Sequence, residues 1–176
     1  GCYQDAIIAC MDAIRLNPNH VEIHINLGLA YSALGLYQVA INSCNEAIKL
    51  KPDFPEAHHK LGLAYANAGS YQEAIKEYQE AIKLKPDDVE VHINLGVAYG
   101  RLSLYHEAIH AFKEAIRLKP NFPEAHINLG VAYSRLSLYV LHGKIENRCH
   151  LPRLASRCIC LYTIRSGSKS LPNLSL

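Results

Sequence analysis

The chain has 176 residues, enough for one domain or a short repeat array, and 49% of them are hydrophobic, enough for a sizeable core. No apolar run approaches the ~20 residues of a membrane-spanning helix. Residues 1–5 have no signal-peptide character, and we expect a chain that starts within a domain. Residues 1–139 carry 12 Lys/Arg against 15 Asp/Glu, whereas residues 140–176 carry 6 against 1, which indicates two segments of different character.

Five residue series recur every 34 residues in one register, which indicates an internal repeat. They are the prolines Pro18, Pro52, Pro86 and Pro120, the glycines Gly28, Gly62, Gly96 and Gly130, the tyrosines Tyr31, Tyr65, Tyr99 and Tyr133, and two alanine series that include Ala40 and Ala47. With segments such as NLGLAY and NLGVAY, this pattern resembles the tetratricopeptide repeat (TPR) family, whose unit is a 34-residue helix–turn–helix. The resemblance covers residues 1–139. It implies an all-α fold, a superhelical solenoid of antiparallel helix pairs followed by a non-repeat C-terminal tail.

The register divides the chain into six segments. They are a partial TPR over residues 1–20 that supplies only a second helix, complete TPRs over 21–54, 55–88 and 89–122, a truncated TPR over 123–139 that supplies a first helix, and a basic tail over 140–176. Apolar residues at helical spacing, such as Val91, Leu95 and Ala98, support the first helix of a unit. After Tyr139 the period is lost, so we expect a flexible tail, with a short helix over 144–151 or 153–163 as the alternative.

Local signals predict where the helices begin and end. Four good N-cap residues are each followed three residues later by glutamate, as in a capping box; they are Asn19, Asp53, Asp87 and Asn121, with Glu22, Glu56, Glu90 and Glu124. Gly35 and Gly69 suit a left-handed residue after the first helix. Ser103 and Ser137 occupy the same position in the next units, where we expect a less comfortable turn.

The histidines and cysteines that could bind a metal or take part in catalysis are better explained by structural roles. One histidine per unit cannot converge on a metal, because stacked helices lie about 10 Å apart; the series is His24, His58, His92 and His126. Cys10 and Cys44 stand where other units have Tyr78 and Phe112, so we expect reduced core thiols and a cytoplasmic protein. Cys149, Cys158 and Cys160 match no strong zinc signature. We predict no enzymatic activity, no metal and no cofactor, and no nucleic acid, membrane or small-molecule substrate as partner.

In the TPR family the first helix lines a concave groove, so the resemblance places four rows of residues there. The central row is Asn26, Lys60, Asn94 and Asn128; the others are Ile25, His59, Ile93 and Ile127; Leu29, Leu63, Val97 and Val131; and Ala33, Asn67, Arg101 and Arg135. An asparagine amide both donates and accepts hydrogen bonds, so it can bind the backbone of an extended peptide. The alternative is that each asparagine bonds a neighbouring helix.

The prediction for function is a protein–protein interaction scaffold that binds an extended peptide segment of a partner in this groove. The alternative is the substrate-recruiting arm of a larger enzyme, because the asparagine row resembles the TPR arm of O-linked N-acetylglucosamine transferases, from which Lys60 departs. The co-chaperone type of TPR, which binds acidic C-terminal tails through a clamp of basic residues, is disfavoured because Glu56 and Glu90 stand where lysine is needed.

Overall fold

In the computed structural model, which describes the backbone of residues 1–149 and the side chains of residues 1–141, every regular element is an α-helix. The helices are α1 (Cys2–Leu16), α2 (Val21–Ala33), α3 (Tyr37–Leu50), α4 (Pro55–Asn67), α5 (Tyr71–Leu84), α6 (Val89–Arg101), α7 (Tyr105–Leu118) and α8 (Pro123–Cys149). Up to α7 their bounds follow the 34-residue register, which confirms the all-α repeat. None of the described helices combines the length and apolar character needed to cross a bilayer.

Residues 1–133 form one compact unit, and the chain from Ser134 onward forms a second. Within the first unit, α2 packs on α3, α4 on α5 and α6 on α7, so each complete repeat is a helix pair. The second helices α1, α3 and α5 also pack on the first helices α2, α4 and α6 of the next repeat. The first helices α2, α4 and α6 contact one another in sequence, whereas the second helices α3, α5 and α7 do not. The first helices therefore form the inner row of the array.

The regular 34-residue spacing of glycine reflects the close approach of the two helices within each pair. A Cβ added to Gly62 would lie 2.6 Å from Cε1 of Tyr78, and one added to Gly96 would lie 2.6 Å from Cε1 of Phe112. At Gly28 the same atom would lie 2.7 Å from Sγ of Cys44. These contacts leave no room for a side chain, so the second helix can dock only against glycine.

The turn between the two helices of a pair uses one left-handed residue. Gly35 and Gly69 have φ values of +75° and +82°, and Ser103 adopts the same conformation with a φ of +60°. The turn expected at Ser137 is absent, because α8 continues through it. α8 also passes Tyr139 and is described as far as Cys149, so it extends into the predicted tail and overlaps the alternative helix over 144–151. The predicted flexible tail includes residues 150–176, which lie outside the described part of the chain.

The predicted capping boxes were placed one residue too early. The residues that precede α2, α4 and α6 are His20, Phe54 and Asp88, and only Asp88 caps with its side chain, which accepts a hydrogen bond from the Val91 amide at 3.4 Å. The glutamates of the predicted boxes therefore lie in the first turn at the second helical position. A negative charge there stabilises the positive end of the helix dipole without a capping box.

The histidine series ties consecutive repeats together. In each case Nε2 lies 2.8–2.9 Å from the carbonyl oxygen of the proline six residues earlier, and because a carbonyl only accepts, Nε2–H is the donor. The pairs are His24 with Pro18, His58 with Pro52, His92 with Pro86 and His126 with Pro120. Each bond satisfies the carbonyl of a proline that lies two residues beyond the end of a second helix. Cys44 is a buried core thiol, and burial raises its pKa to about 12.

Candidate binding wall on the first helices

The exposed and half-buried residues of the inner row form a surface that we call the first-helix wall. Its apolar part is a row spaced by 34 residues: Leu29, Val97 and Val131 are 38%, 40% and 52% exposed, and Leu63 is half-buried. Exposed aliphatic side chains at regular spacing are what an apolar partner segment can cover. The structure therefore places this predicted row where a ligand can reach it.

Three members of the predicted groove are not on the wall. Ile25, His59 and Ile93 are only 2%, 6% and 3% exposed, because they point into the core between neighbouring repeats. A ligand cannot contact them in this conformation, so we leave them out of the candidate surface. Ile127, at the same position of the last repeat, is 66% exposed.

The central polar row divides according to the residue packed beneath it. Asn94 donates from Nδ2 to Nε2 of His59 on the preceding first helix, at 3.0 Å. Burial above all, and then the charge of Lys60, lower the pKa of His59, so its neutral ring is an acceptor. For Asn94 the structure thus shows the alternative role, a bond to a neighbouring helix.

The other two asparagines of this row lack such a partner. One repeat after His59 the buried residue is Ile93, which has no acceptor for Asn128. Asn26 is exposed and Asn128 half-buried, and neither side chain makes a hydrogen bond to another residue of the described part. Their amides are the groups of the row that remain available to a ligand, together with the half-buried Lys60.

The last row runs along the ends of the first helices. Asn67 donates from Nδ2 to Oγ of Ser32 on the preceding first helix, at 3.1 Å, a contact that the sequence analysis missed. Arg101 is exposed and forms no ion pair within the described residues. Arg135 is exposed too, but it belongs to the second compact unit. Ala33 is exposed and apolar, so Arg101 is the positive charge of this row in the first unit, and Lys60 is that of the central row.

The wall has a negative edge where the first helices begin. Glu22, Glu56 and Glu90 are exposed there, and Glu22 lies 2.8 Å from Nδ1 of His20. No group of acidic, histidine and cysteine side chains in the described part could hold a metal ion. Carboxylates at one end of the helices and Arg101 at the other give the wall opposite charges at its two edges.

The match to known families agrees with this geometry. Models described as "TPR repeat" match residues 33–69, 64–103 and 105–137, and one described as "Tetratricopeptide repeat" matches residues 9–41. The chain belongs to the tetratricopeptide repeat family. Arrays of stacked helical repeats present extended concave surfaces for binding.

Solved structures of TPR proteins resemble this chain. A crystal structure of MamA is 32% identical, covers 77% of this chain and 80% of MamA, and has a TM-score of 0.71. Another crystal structure of MamA is 27% identical over 99% of this chain and 90% of that one, also with a TM-score of 0.71. The first TPR of Spaghetti (RPAP3), bound to the HSP90 peptide SRMEEVD, shares the fold at 21% identity, covering 66% and 93% of the two chains with a TM-score of 0.64. No curated protein matches the chain.

Proposed function

We propose that this TPR protein is an interaction scaffold whose first-helix wall binds an extended segment of a partner protein. The observation that carries the proposal is the row of exposed aliphatic side chains at Leu29, Val97 and Val131, flanked by the free amides of Asn26 and Asn128. Aliphatic contacts supply affinity, and amides bond a backbone whatever its side chains are.

The charges of the wall give the segment a direction. Arg101 favours an acidic group near the ends of the first helices, and Glu22, Glu56 and Glu90 favour a basic group near their beginnings. Because these side chains are exposed, salt screens the preference. Binding should therefore weaken at high ionic strength without being lost, since the aliphatic contacts do not depend on salt.

A matched pair of variants tests the proposal. The full chain serves as bait to capture its partner from a cell extract, and the partner is then measured against Val97→Asp and Val39→Asp. Val97 and Val39 are 40% and 41% exposed, but Val39 lies on the second helix α3. Val97→Asp should weaken binding about tenfold or more because a charge replaces an apolar contact, and Val39→Asp should leave it unchanged. Equal affinities of the two variants would place the partner elsewhere.

The second candidate function is the substrate-recruiting arm of a larger enzyme. The asparagine row supports this function. In this chain Lys60 interrupts the row, and Asn94 is hydrogen-bonded to His59. Sequencing the full transcript discriminates, because the arm requires a catalytic domain in the same reading frame. Both candidates use the same wall, so the variant pair applies to either.

A further inference from the structure

A second concave surface lies on the outer side of the array. A cleft of about 480 Å³ opens between the second helices α5 and α7, and α6 forms its floor. The floor consists of His92, Leu95 and Tyr99, and Ile82 and Ala111 line the two sides. The exposed carboxylate of Glu107 and the half-buried one of Glu114 also line the cleft.

One substitution within the repeat register explains why the cleft is open. In the preceding repeat, Glu77 fills the corresponding space, and its Oε2 lies 2.8 Å from Nδ1 of His58. The equivalent residue 34 positions later is Ala111, which lines the same cleft as His92. The missing carboxylate leaves Nδ1 of His92 without the bond that His58 has.

His92 lines the cleft and has one ring nitrogen without a hydrogen-bond partner among the described residues. It is 9% exposed, and its one hydrogen bond to the described residues runs from Nε2–H to the Pro86 carbonyl oxygen at 2.9 Å. In the tautomer that makes this bond, Nδ1 carries the lone pair. A ring nitrogen without a partner among the described residues can accept a hydrogen bond from a ligand that donates one.

The charges around His92 favour a cation. Lys83, the positive side chain of the lining, is paired with Glu80, whereas Glu107 has no ion-pair partner among the described residues. A hydrogen bond from Arg117, above all, lowers the pKa of Glu114, and His110 and His92 act in the same direction, so this carboxylate is ionised. Because Arg117 already binds Glu114, the unpaired negative charge of the lining is that of Glu107, which lies beside the Nδ1 acceptor and the apolar side chains of the cleft.

We propose that this outer cleft binds an arginine side chain presented by a partner protein. The aliphatic stem of arginine can cover the half-buried Ile82 while its guanidinium, with five donors, reaches Glu107 and Nδ1 of His92. The planar guanidinium can also stack on the ring of Tyr99. The site is separate from the first-helix wall, so the chain has two faces for two contacts.

The test uses the isotope-labelled full chain and an acetylated, amidated Gly-Arg-Gly peptide, followed by NMR. The expected result is a saturable shift of the Ala111 methyl and the His92 ring signals. A peptide in which citrulline replaces arginine keeps the shape of the side chain and loses its charge. It should bind at least about tenfold more weakly, because the charge-assisted hydrogen bonds are lost. Equal binding of the citrulline peptide, stronger binding of Gly-Glu-Gly, or shifts confined to the first-helix wall would overturn the proposal.

Two reciprocal substitutions copy one repeat into the other. Ala111→Glu supplies His92 with the carboxylate that His58 has, and it should close the cleft and abolish the shifts. Glu77→Ala removes that carboxylate, and it should open a second cleft, so that arginine-dependent shifts appear at His58 as well. If Ala111→Glu does not fold, Glu77→Ala decides alone: no new shifts at His58 would contradict the assignment.

Discussion

The same five residues, Arg-Leu-Ser-Leu-Tyr, occur at residues 101–105 and at residues 135–139 and adopt two different structures. In the first copy α6 ends at Arg101, Ser103 has a positive φ, and α7 begins at Tyr105. In the second copy the same residues lie within one continuous helix, α8. Identical local sequence therefore does not decide whether this turn forms.

What differs is the sequence that follows each copy. After residue 105, the side chains of Ala108, Ile109 and Phe112 are buried, and Phe112 packs against Gly96. The corresponding positions after residue 139 are His142, Gly143 and Glu146, which cannot form such an apolar face. The burial of a second helix on the first offsets the strain of a left-handed serine, and without that burial the helix continues.

The largest effect should come from filling the contact between paired helices. Gly96→Leu should lower the free energy of unfolding by about 3 kcal/mol or more, because its Cβ would already lie 2.6 Å from Phe112. Gly130→Leu is the matched control, since a Cβ at Gly130 meets no heavy atom of the described residues within 4 Å. It should be neutral or stabilise the helix by up to about 1 kcal/mol. Urea unfolding followed by circular dichroism measures both, and equal losses would remove the close-approach argument.

A smaller effect should separate two asparagines of the central row. Asn94→Ala removes the hydrogen bond to buried His59 and leaves that ring nitrogen unpaired, which should cost about 1–2 kcal/mol. Asn128→Ala removes no hydrogen bond to a described residue and should change stability by less than about 0.5 kcal/mol. The same unfolding experiment compares them. A cost at Asn128 equal to that at Asn94 would mean that the row is structural throughout.

The sequence was sufficient for the helices because the 34-residue register fixes glycine, alanine and proline at each contact. The sequence around Ser137 did not predict that the turn is absent there, because the turn depends on apolar residues more than one helical turn further along the chain. Asn94 could not be distinguished from Asn128 by its own position, since the difference lies in His59 against Ile93 thirty-five residues earlier. The predicted capping boxes began one residue too early. Asp53 and Asp87 are of a residue type that commonly caps helices, but the residues at the cap positions of α4 and α6 are Phe54 and Asp88.

The smallest effects should have opposite signs at the two serines. Ser103→Gly removes a left-handed serine and should stabilise the protein by about 0.5–1 kcal/mol. Ser137→Gly places a glycine within α8 and should destabilise that helix by about 0.5–1 kcal/mol. Thermal unfolding of the two variants and the parent protein gives both signs. A stabilising Ser137→Gly would show that residues 135–139 form a turn in solution.

The most direct test of the wall is methyl NMR of the full chain with a synthetic peptide that spans the captured partner's bound segment. The methyl groups of Leu29 and Val97, on first helices, should shift and saturate as the peptide is added, and those of Val39 and Leu104 should remain in place. These four side chains are 38–41% exposed, so exposure alone does not favour either pair. Saturating shifts at Val39 and Leu104, with Leu29 and Val97 unchanged, would contradict the assignment of the first-helix wall as the binding surface.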